Sequence, residues 1–134
     1  MHFLYRHITL LLLVFTAICY GQVPQDKIKA KIEIEKIEGN VKITASAENL
    51  TEVIRSASYR LSAIKNNNKS NNQSNNSQEG IFTLQPSEIK KLSTAQVNLE
   101  PDDEVIVLLL FYDENKQIIA KDRVVIGDEK KKMM

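Results

Sequence analysis

The sequence predicts an all-β protein: a single immunoglobulin-like antiparallel β-sandwich of about seven strands. Apolar and polar residues alternate with a period of two through most of the chain, and turn signals recur at short, regular spacing. Seven short strands within about a hundred residues are typical of this sandwich. Because the chain has no Trp and only one Cys, it lacks the Cys…Trp…Cys signature of antibody domains.

The first three predicted strands show the alternation most clearly. Residues 28–34 and 41–47 carry apolar side chains at every second position, and Gly39-Asn40 between them is a turn signal. These two segments therefore predict a β-hairpin. The third strand, at about residues 53–64, directs four side chains to one face: Ala57, Tyr59, Leu61 and Ala63.

Four further strands complete the predicted sandwich. A short strand carries Phe82 and Leu84, and the next strand covers about residues 89–99. Residues 105–111 are continuously apolar, which is typical of a central strand that is covered on both faces or is at least packed centrally. Residues 117–126 form the last predicted strand.

The N-terminal segment, residues 1–21, has the parts of a secretory signal peptide. Arg6 supplies the positive charge, residues 8–19 form the apolar region, and small residues precede a cleavage site before Gln22. Lipidation of Cys19 is the competing interpretation. We expect cleavage, release and a periplasmic location.

The remaining chain is predicted to be one β-sandwich domain at residues 22–126, followed by a disordered, Lys-rich tail at residues 127–134. An Asn-, Ser- and Gln-rich loop at residues 66–80 separates the third and fourth strands. One interpretation of the polar tract at residues 66–78 is a solvated connection between strands. The entropic cost of closing a loop grows slowly with its length, so such a connection is tolerated. The other is recognition, because such side chains can meet the amide ladders of an amyloid strand.

The composition excludes most catalytic chemistry. His2, His7 and the only Cys, Cys19, all lie in the predicted signal peptide. The mature chain therefore has no imidazole base, no thiol nucleophile and no soft metal ligand. We predict no catalytic residue, no cofactor and no metal, and we predict that the protein is not an enzyme.

Net charge gives little indication of a partner. Of 18 Lys and Arg residues only Arg6 lies in the signal peptide, so 17 remain against 17 Asp and Glu, and no binding of nucleic acid is predicted. Asp102, Asp103 and Glu104 have the oxygen ligands of a calcium or magnesium site. Their Pro-Asp-Asp context between two strands is more typical of a turn.

The order of these parts resembles the CsgC/CsgH group of curli assembly proteins. The similar block runs from about Tyr59 to Ile126 and includes the polar insertion and the apolar strand near its end. Its most specific part is the Asn-Leu-x-Pro-Asp-Asp motif at residues 98–103. CsgC carries a Cys-x-Cys pair where this chain has Ala57 and Tyr59, so the resemblance implies no thiol–disulfide role here.

The resemblance implies a function. Members of that group are periplasmic β-sandwich proteins that suppress amyloid formation by the curlin subunit before export. It implies a chaperone-like factor in curli biogenesis, with a curlin-like amyloid subunit as transient partner and no membrane insertion after signal removal. Arg55, Arg60 and Lys65 follow one another along the third strand and are the predicted client-binding residues. The alternative is a secreted β-sandwich binding or adhesion module, and the oligomeric state is left open.

Overall fold

The alternation of apolar residues is realised as seven antiparallel strands. A computed structural model describes residues 27–127, and within this range there is no helix that is long and apolar enough to cross a membrane. The predicted signal peptide and the tail beyond Gly127 lie outside the described residues and stay predictions. The strands are β1 (Ile28–Ile37), β2 (Asn40–Asn49), β3 (Arg55–Asn67), β4 (Gln73–Leu84), β5 (Ile89–Asn98), β6 (Asp103–Tyr112) and β7 (Ile118–Gly127).

The strands form two sheets that pack face to face. One sheet has three strands in the order β1-β2-β5, and the other has four strands in the order β4-β3-β6-β7. Every neighbouring pair is antiparallel. The inner strands of the larger sheet are therefore β3 and β6, and its edges are β4 and β7. The predicted immunoglobulin-like sandwich of seven strands is confirmed.

The core fills the space between the sheets. Ala57, Leu61 and Ala63 are buried, which confirms the predicted inward face of the third strand. The rings of Phe82 and Phe111 lie 4.9 Å apart between centroids and are tilted by 57°, a favourable geometry for an aromatic pair. The largest fully buried apolar side chains are Ile28, Val41, Ile43, Leu61, Leu84, Val105, Val107, Leu109 and Phe111.

The continuous apolar run forms β6, whose two faces differ in burial. Val105, Val107, Leu109 and Phe111 are 0% exposed, whereas the residues between them are half-buried on the opposite face. β6 lies centrally in its sheet, as predicted. Only one of its faces is covered, however, so the stronger prediction of burial on both faces is wrong.

The turn between β1 and β2 is Glu38-Gly39, one position earlier than the turn signal Gly39-Asn40 indicates. The φ angles are 39° for Glu38 and 82° for Gly39, as a type I′ hairpin turn requires. Asn40 is already the first residue of β2 and pairs with Ile37.

Residues 66–80 form the tip of a β-hairpin and the first part of its second strand, and not the loop that the sequence predicts. β3 continues to Asn67, and β4 begins at Gln73. The pairing of the two strands is continuous from Arg55 to Asn66 and contains no bulge. The loop prediction relied on side-chain patterns, and this tract has no apolar alternation. Backbone hydrogen bonds hold two strands together whatever their side chains, so the pattern could not show the pairing.

Candidate functional site

A buried carboxylate, Asp103, fixes the β3–β4 hairpin to the rest of the sandwich. It accepts hydrogen bonds from the side-chain amide of Asn67 at 2.7 Å and from the backbone N–H of Glu100 at 2.8 Å. The Lys65 ammonium lies 3.4 Å from the same carboxylate and donates to the carbonyl oxygen of Asn98 at 2.9 Å. Charge-assisted hydrogen bonds thus connect the hairpin to the turn before β6.

Asn67 also shapes the tip of the hairpin. Its Oδ1 accepts hydrogen bonds from the backbone N–H groups of Lys69 at 3.0 Å and Ser70 at 3.1 Å, which is an Asx turn. Its own N–H donates to the carbonyl of Asn72 at 3.0 Å. Asn71 has a φ of 57°, a left-handed conformation that Asn tolerates better than most residues. The tip therefore has a defined turn structure.

The environment of Asp103 favours its ionised form. Burial alone raises the pKa of this carboxyl, but the hydrogen bonds from Glu100 N–H and Asn67 and the positive charge of Lys65 outweigh that effect. The pKa of Asp103 therefore lies below its ordinary value of 3.8. We name the contacts of Asp103 with Asn67 and Lys65 the hairpin base. The negative charge of Asp103 is a structural part of it.

The neighbouring acids serve the same turn. Asp102 lies at its tip with a φ of 71° and pairs with Lys69 of the hairpin at 3.2 Å. Asp103 N–H donates to the carbonyl of Glu100 at 3.0 Å, which closes the turn and confirms the turn interpretation. Across residues 27–127, no group of three His, Cys, Asp or Glu side chains is placed to hold a metal ion.

β4 is an edge strand, because it lies at one end of the four-stranded sheet. We name residues 73–78, its N-terminal half, the polar edge; they read Gln-Ser-Asn-Asn-Ser-Gln. Residues 73–77 are all exposed, although alternate side chains point to opposite faces. One side of this backbone has no neighbouring strand, so its N–H and C=O groups are available to another extended chain.

The outer face of the four-stranded sheet carries an apolar ridge along β6. Register places Ser62 of β3 and Arg123 of β7 on either side of Leu108. Arg60 and Lys121 flank the next ridge residue in the same way. The middle of the ridge is therefore bordered on both sides by polar and positively charged side chains. We name the half-buried residues Ile106, Leu108, Leu110 and Tyr112 the outer ridge.

A shallow depression of about 600 Å³ lies where β4 passes the end of the outer ridge. Ile81, which is 85% exposed, and Tyr112 form its apolar part. Arg60 and Glu79 pair at 3.6 Å along its border. Ligand sites for small molecules are typically deeper and more enclosed, so this surface is better suited to a polypeptide.

The three predicted client-binding residues do not form a stripe. Arg60 projects from the outer face, whereas Arg55 and Lys65 occupy alternate positions that belong to the other face of β3. Arg55 and Lys65 also stand at opposite ends of the strand, about 33 Å apart at the usual rise per residue. Lys65 is engaged by Asp103. The structure brings none of the three together, and their role in client binding stays a prediction.

Solved structures share this arrangement of strands. The match to the curli protein CsgC of E. coli covers 72% of this chain and 96% of that one, with a TM-score of 0.58 and 14% identity. The match to CsgH of R. palustris covers 77% and 94%, with a TM-score of 0.53 and 14% identity. The chain has the CsgC/CsgH-type fold.

A similar domain also occurs inside a larger protein. A glycosyl hydrolase family 2 member from Bacteroides cellulosilyticus matches 77% of this chain but only 16% of its own, with a TM-score of 0.51 and 13% identity. No protein-family model matches the sequence, and no curated protein matches it. The similarity to CsgC and CsgH is therefore a similarity of fold.

Within the CsgC/CsgH-type fold, the motif at residues 98–103 has a structural role. It ends β5, turns the chain into β6 and places Asp103 beneath the hairpin. Gly127 at the end of β7 contributes to the same corner. It has a φ of 96°, and a Cβ at this position would collide with the backbone carbonyl of Asp103. The corner is therefore packed around the Asp103 backbone and side chain together.

The polar edge, the outer ridge and the role of Asp103 could not be predicted from the sequence. Both faces of β6 are apolar, so hydropathy does not distinguish the outward-facing Leu108 from the inward-facing Leu109. No local pattern connects Asn67 with Asp103, since their contact depends on the pairing of β3 with β6, which are distant in the sequence. The only signal for a strand in the polar tract was that residues 66–80 contain no Pro.

Proposed function

We propose that this protein is a periplasmic, chaperone-like factor of curli biogenesis that prevents premature amyloid polymerisation of the curlin subunit. The observation that carries the proposal is the match over 96% of the length of the curli protein CsgC. The Asn-Leu-x-Pro-Asp-Asp motif supports it, because residues 98–103 build the corner that holds the hairpin.

The surface suits a polypeptide partner. The outer ridge and the depression at Tyr112 are shallow, and the polar edge presents backbone groups along about 20 Å of extended chain. Amyloid subunits polymerise by adding extended strands to open edges. A folded domain with an accessible edge can contact such strands without an enclosed pocket.

The chemistry required is binding alone. Residues 27–127 contain no His and no Cys, so the described surface offers neither a thiol nucleophile nor an imidazole base. Of the three predicted client-binding residues, Arg60 is the one on the outer face beside the ridge. We propose that Arg60 attracts the client through long-range electrostatic interaction. Lys65 instead stabilises the hairpin base.

The proposal is tested in cells that make both this protein and the curlin-like subunit of the same genome. Deleting this gene should raise the amount of detergent-insoluble subunit in the periplasmic fraction, and a plasmid copy should restore the original amount. Equal amounts with and without the gene would contradict the proposal. A defect in surface attachment with unchanged subunit solubility would instead support the binding or adhesion module.

A further inference from the structure

The four edge strands of the sandwich are not equally protected. Natural proteins shield exposed edges with charged side chains, especially Lys, with inward-pointing charges, or with bulges. β5 carries Lys90 and Lys91, and β7 carries Lys121 and Arg123. β1 carries a Lys or a Glu at every second position over most of its length. The polar edge carries no charge, no Pro and no bulge.

The edges of β1 and β7 meet and protect each other. Asp122 is on the inward side of β7, opposite the buried Leu109 of β6. Its carboxylate accepts a hydrogen bond at 2.8 Å from the backbone N–H of Ile32 in β1. This contact occupies a backbone donor on the edge of the smaller sheet, so β7 covers the edge of β1 at this point.

The C-terminal half of β4 is also covered. The Lys90 ammonium donates to the carbonyl of Thr83 at 2.8 Å, and the buried side chain of Asn49 approaches the carbonyl of Leu84 at 3.5 Å. In the sheet, the backbone of residues 73–78 pairs with β3 on one side and has no strand on the other. The polar edge is the half of β4 that lies away from these contacts.

We propose that the polar edge is a β-augmentation site that binds an extended, uncharged segment rich in Asn, Gln and Ser. Such a segment would pair its backbone with residues 73–78 and stack its amide side chains on theirs, as identical side chains stack along an amyloid fibril. The proposal names the client surface for the function proposed above, and its biological role rests on that function.

Length and charge both favour this occupant. The polar edge has six residues, which is the length typical of strands that form steric zippers. Charged residues bound it, since Lys69 precedes it and Glu79 follows it. A charged side chain inside the incoming segment would lie among amides that offer it no counter-ion, so an uncharged segment is favoured.

Binding at this edge would let a few molecules of this protein restrain many subunits. A strand added to β4 has β3 and the folded sandwich behind it, so no further subunit can add on that side. One molecule of this protein would cap one growing end of a nucleus. The inhibitor is then needed only in the number of growing ends and not in the number of subunits.

The first experiment tests the edge without any client. The probe is a synthetic, terminally capped peptide that copies residues 71–78, and the control peptide has the same sequence with alternate backbone nitrogens methylated. At saturation the first peptide should slow amide hydrogen exchange in the polar edge by at least about tenfold, and the methylated peptide should not. No slowing with either peptide would overturn the proposal.

The variant for this experiment is Asn75→Lys/Asn76→Lys, which places a charge on each face of the polar edge. Its matched control is Asn115→Lys/Gln117→Lys, which adds the same charge at the exposed β6–β7 turn. The first variant should lose the peptide effect and the control should keep it. Asn75→Asp/Asn76→Asp should also lose the peptide effect. It can replace the Lys variant if the Lys variant does not fold. Equal peptide protection in both charge variants and the wild type would overturn the proposal.

The same proteins then separate this inference from the proposed function. If the wild type delays fibrillation of the curlin-like subunit and Asn75→Lys/Asn76→Lys does not, the proposed function and the polar-edge site are both supported. If wild type and variant delay it equally, the proposed function stands and the polar edge is excluded. If the wild type has no effect, the proposed function fails, while the peptide experiment still decides the edge. Amide exchange in the polar edge could also slow as the protein concentration rises, with no peptide present. That result would show that a second copy of this chain binds the edge, and it would overturn the proposed occupant.

Discussion

The side-chain amide of Asn67 donates a 2.7 Å hydrogen bond to the carboxylate of Asp103, which lies 36 residues later and is 3% exposed. The other end of the same amide, its Oδ1, accepts two backbone N–H groups of the hairpin tip. Asn67 therefore connects the turn of the polar hairpin to the turn before β6. The shape of the hairpin depends on this pair.

Breaking the pair should destabilise the whole domain. We expect Asp103→Asn to lower the free energy of unfolding by about 1–3 kcal/mol, because it removes a buried charge that accepts hydrogen bonds from Asn67 and Glu100. The matched control is Asp102→Asn at the next, exposed position, where the loss of a surface ion pair costs about 0–1 kcal/mol. Urea unfolding measures both. Equal losses for the two variants would contradict the role assigned to Asp103.

The same carboxylate predicts a pH dependence. Because the pKa of Asp103 is lowered by folding, its ionised form contributes stability that is fully present above the pKa of the unfolded chain. That contribution is lost as the pH falls below about 4 and through the lower pKa of the folded state. Between pH 5 and pH 2, the unfolding free energy should therefore fall less steeply in Asp103→Asn than in the wild type. Parallel curves would contradict the lowered pKa.

Two adjacent leucines test the assignment of faces in β6. Leu109 is 0% exposed, so Leu109→Ala should cost about 2–5 kcal/mol. Leu108 is half-buried on the outer ridge, and Leu108→Ala should cost less than half as much, since partly exposed sites lose less on truncation. If the two variants unfold at the same urea concentration, the inward face of β6 is wrongly assigned.

Arg60 gives a test of electrostatic attraction that leaves the fold intact. Its pair with Glu79 is exposed on both sides, so Arg60→Glu should change stability by less than about 1 kcal/mol. We expect Arg60→Glu to shorten the fibrillation lag that the wild type produces, and we expect added salt to weaken the wild type, since exposed charges are screened beyond about 8–10 Å. Lys65→Glu is not an equivalent test because Lys65 supports Asp103. An unchanged lag with folded Arg60→Glu would exclude this residue from the client contact.

Seven strands and most of their inward residues could be predicted from the sequence, because one face of each strand is apolar and the other is polar. That pattern is local, and a period of two is enough to assign Ile28 or Leu61 to the core. Where both faces are apolar, as in β6, the alternation disappears, and the sequence alone did not show which leucines are covered.

The hairpin at residues 66–80 illustrates the opposite case. Its side chains are almost all polar, so neither face is marked and the segment resembled a loop. Backbone pairing with β3 holds the two strands together, and the local Asx turn at Asn67 shapes the tip. The buried contact with Asp103 depends on a residue distant in the sequence. The three predicted client-binding residues do not share a face for a simpler reason. Arg55, Arg60 and Lys65 are spaced by five, and an odd spacing places neighbours on opposite faces of a strand.

The proposed function and the polar edge together predict that a small number of these molecules restrains amyloid formation. The most direct measurement is a titration of purified residues 22–134 into monomeric curlin-like subunit from the same genome, with thioflavin fluorescence recording the lag. We predict a longer lag at far less than one molecule per subunit, and the same lag in strong reductant, because residues 22–134 contain no Cys. A lag that is unchanged even at equimolar protein would contradict the account.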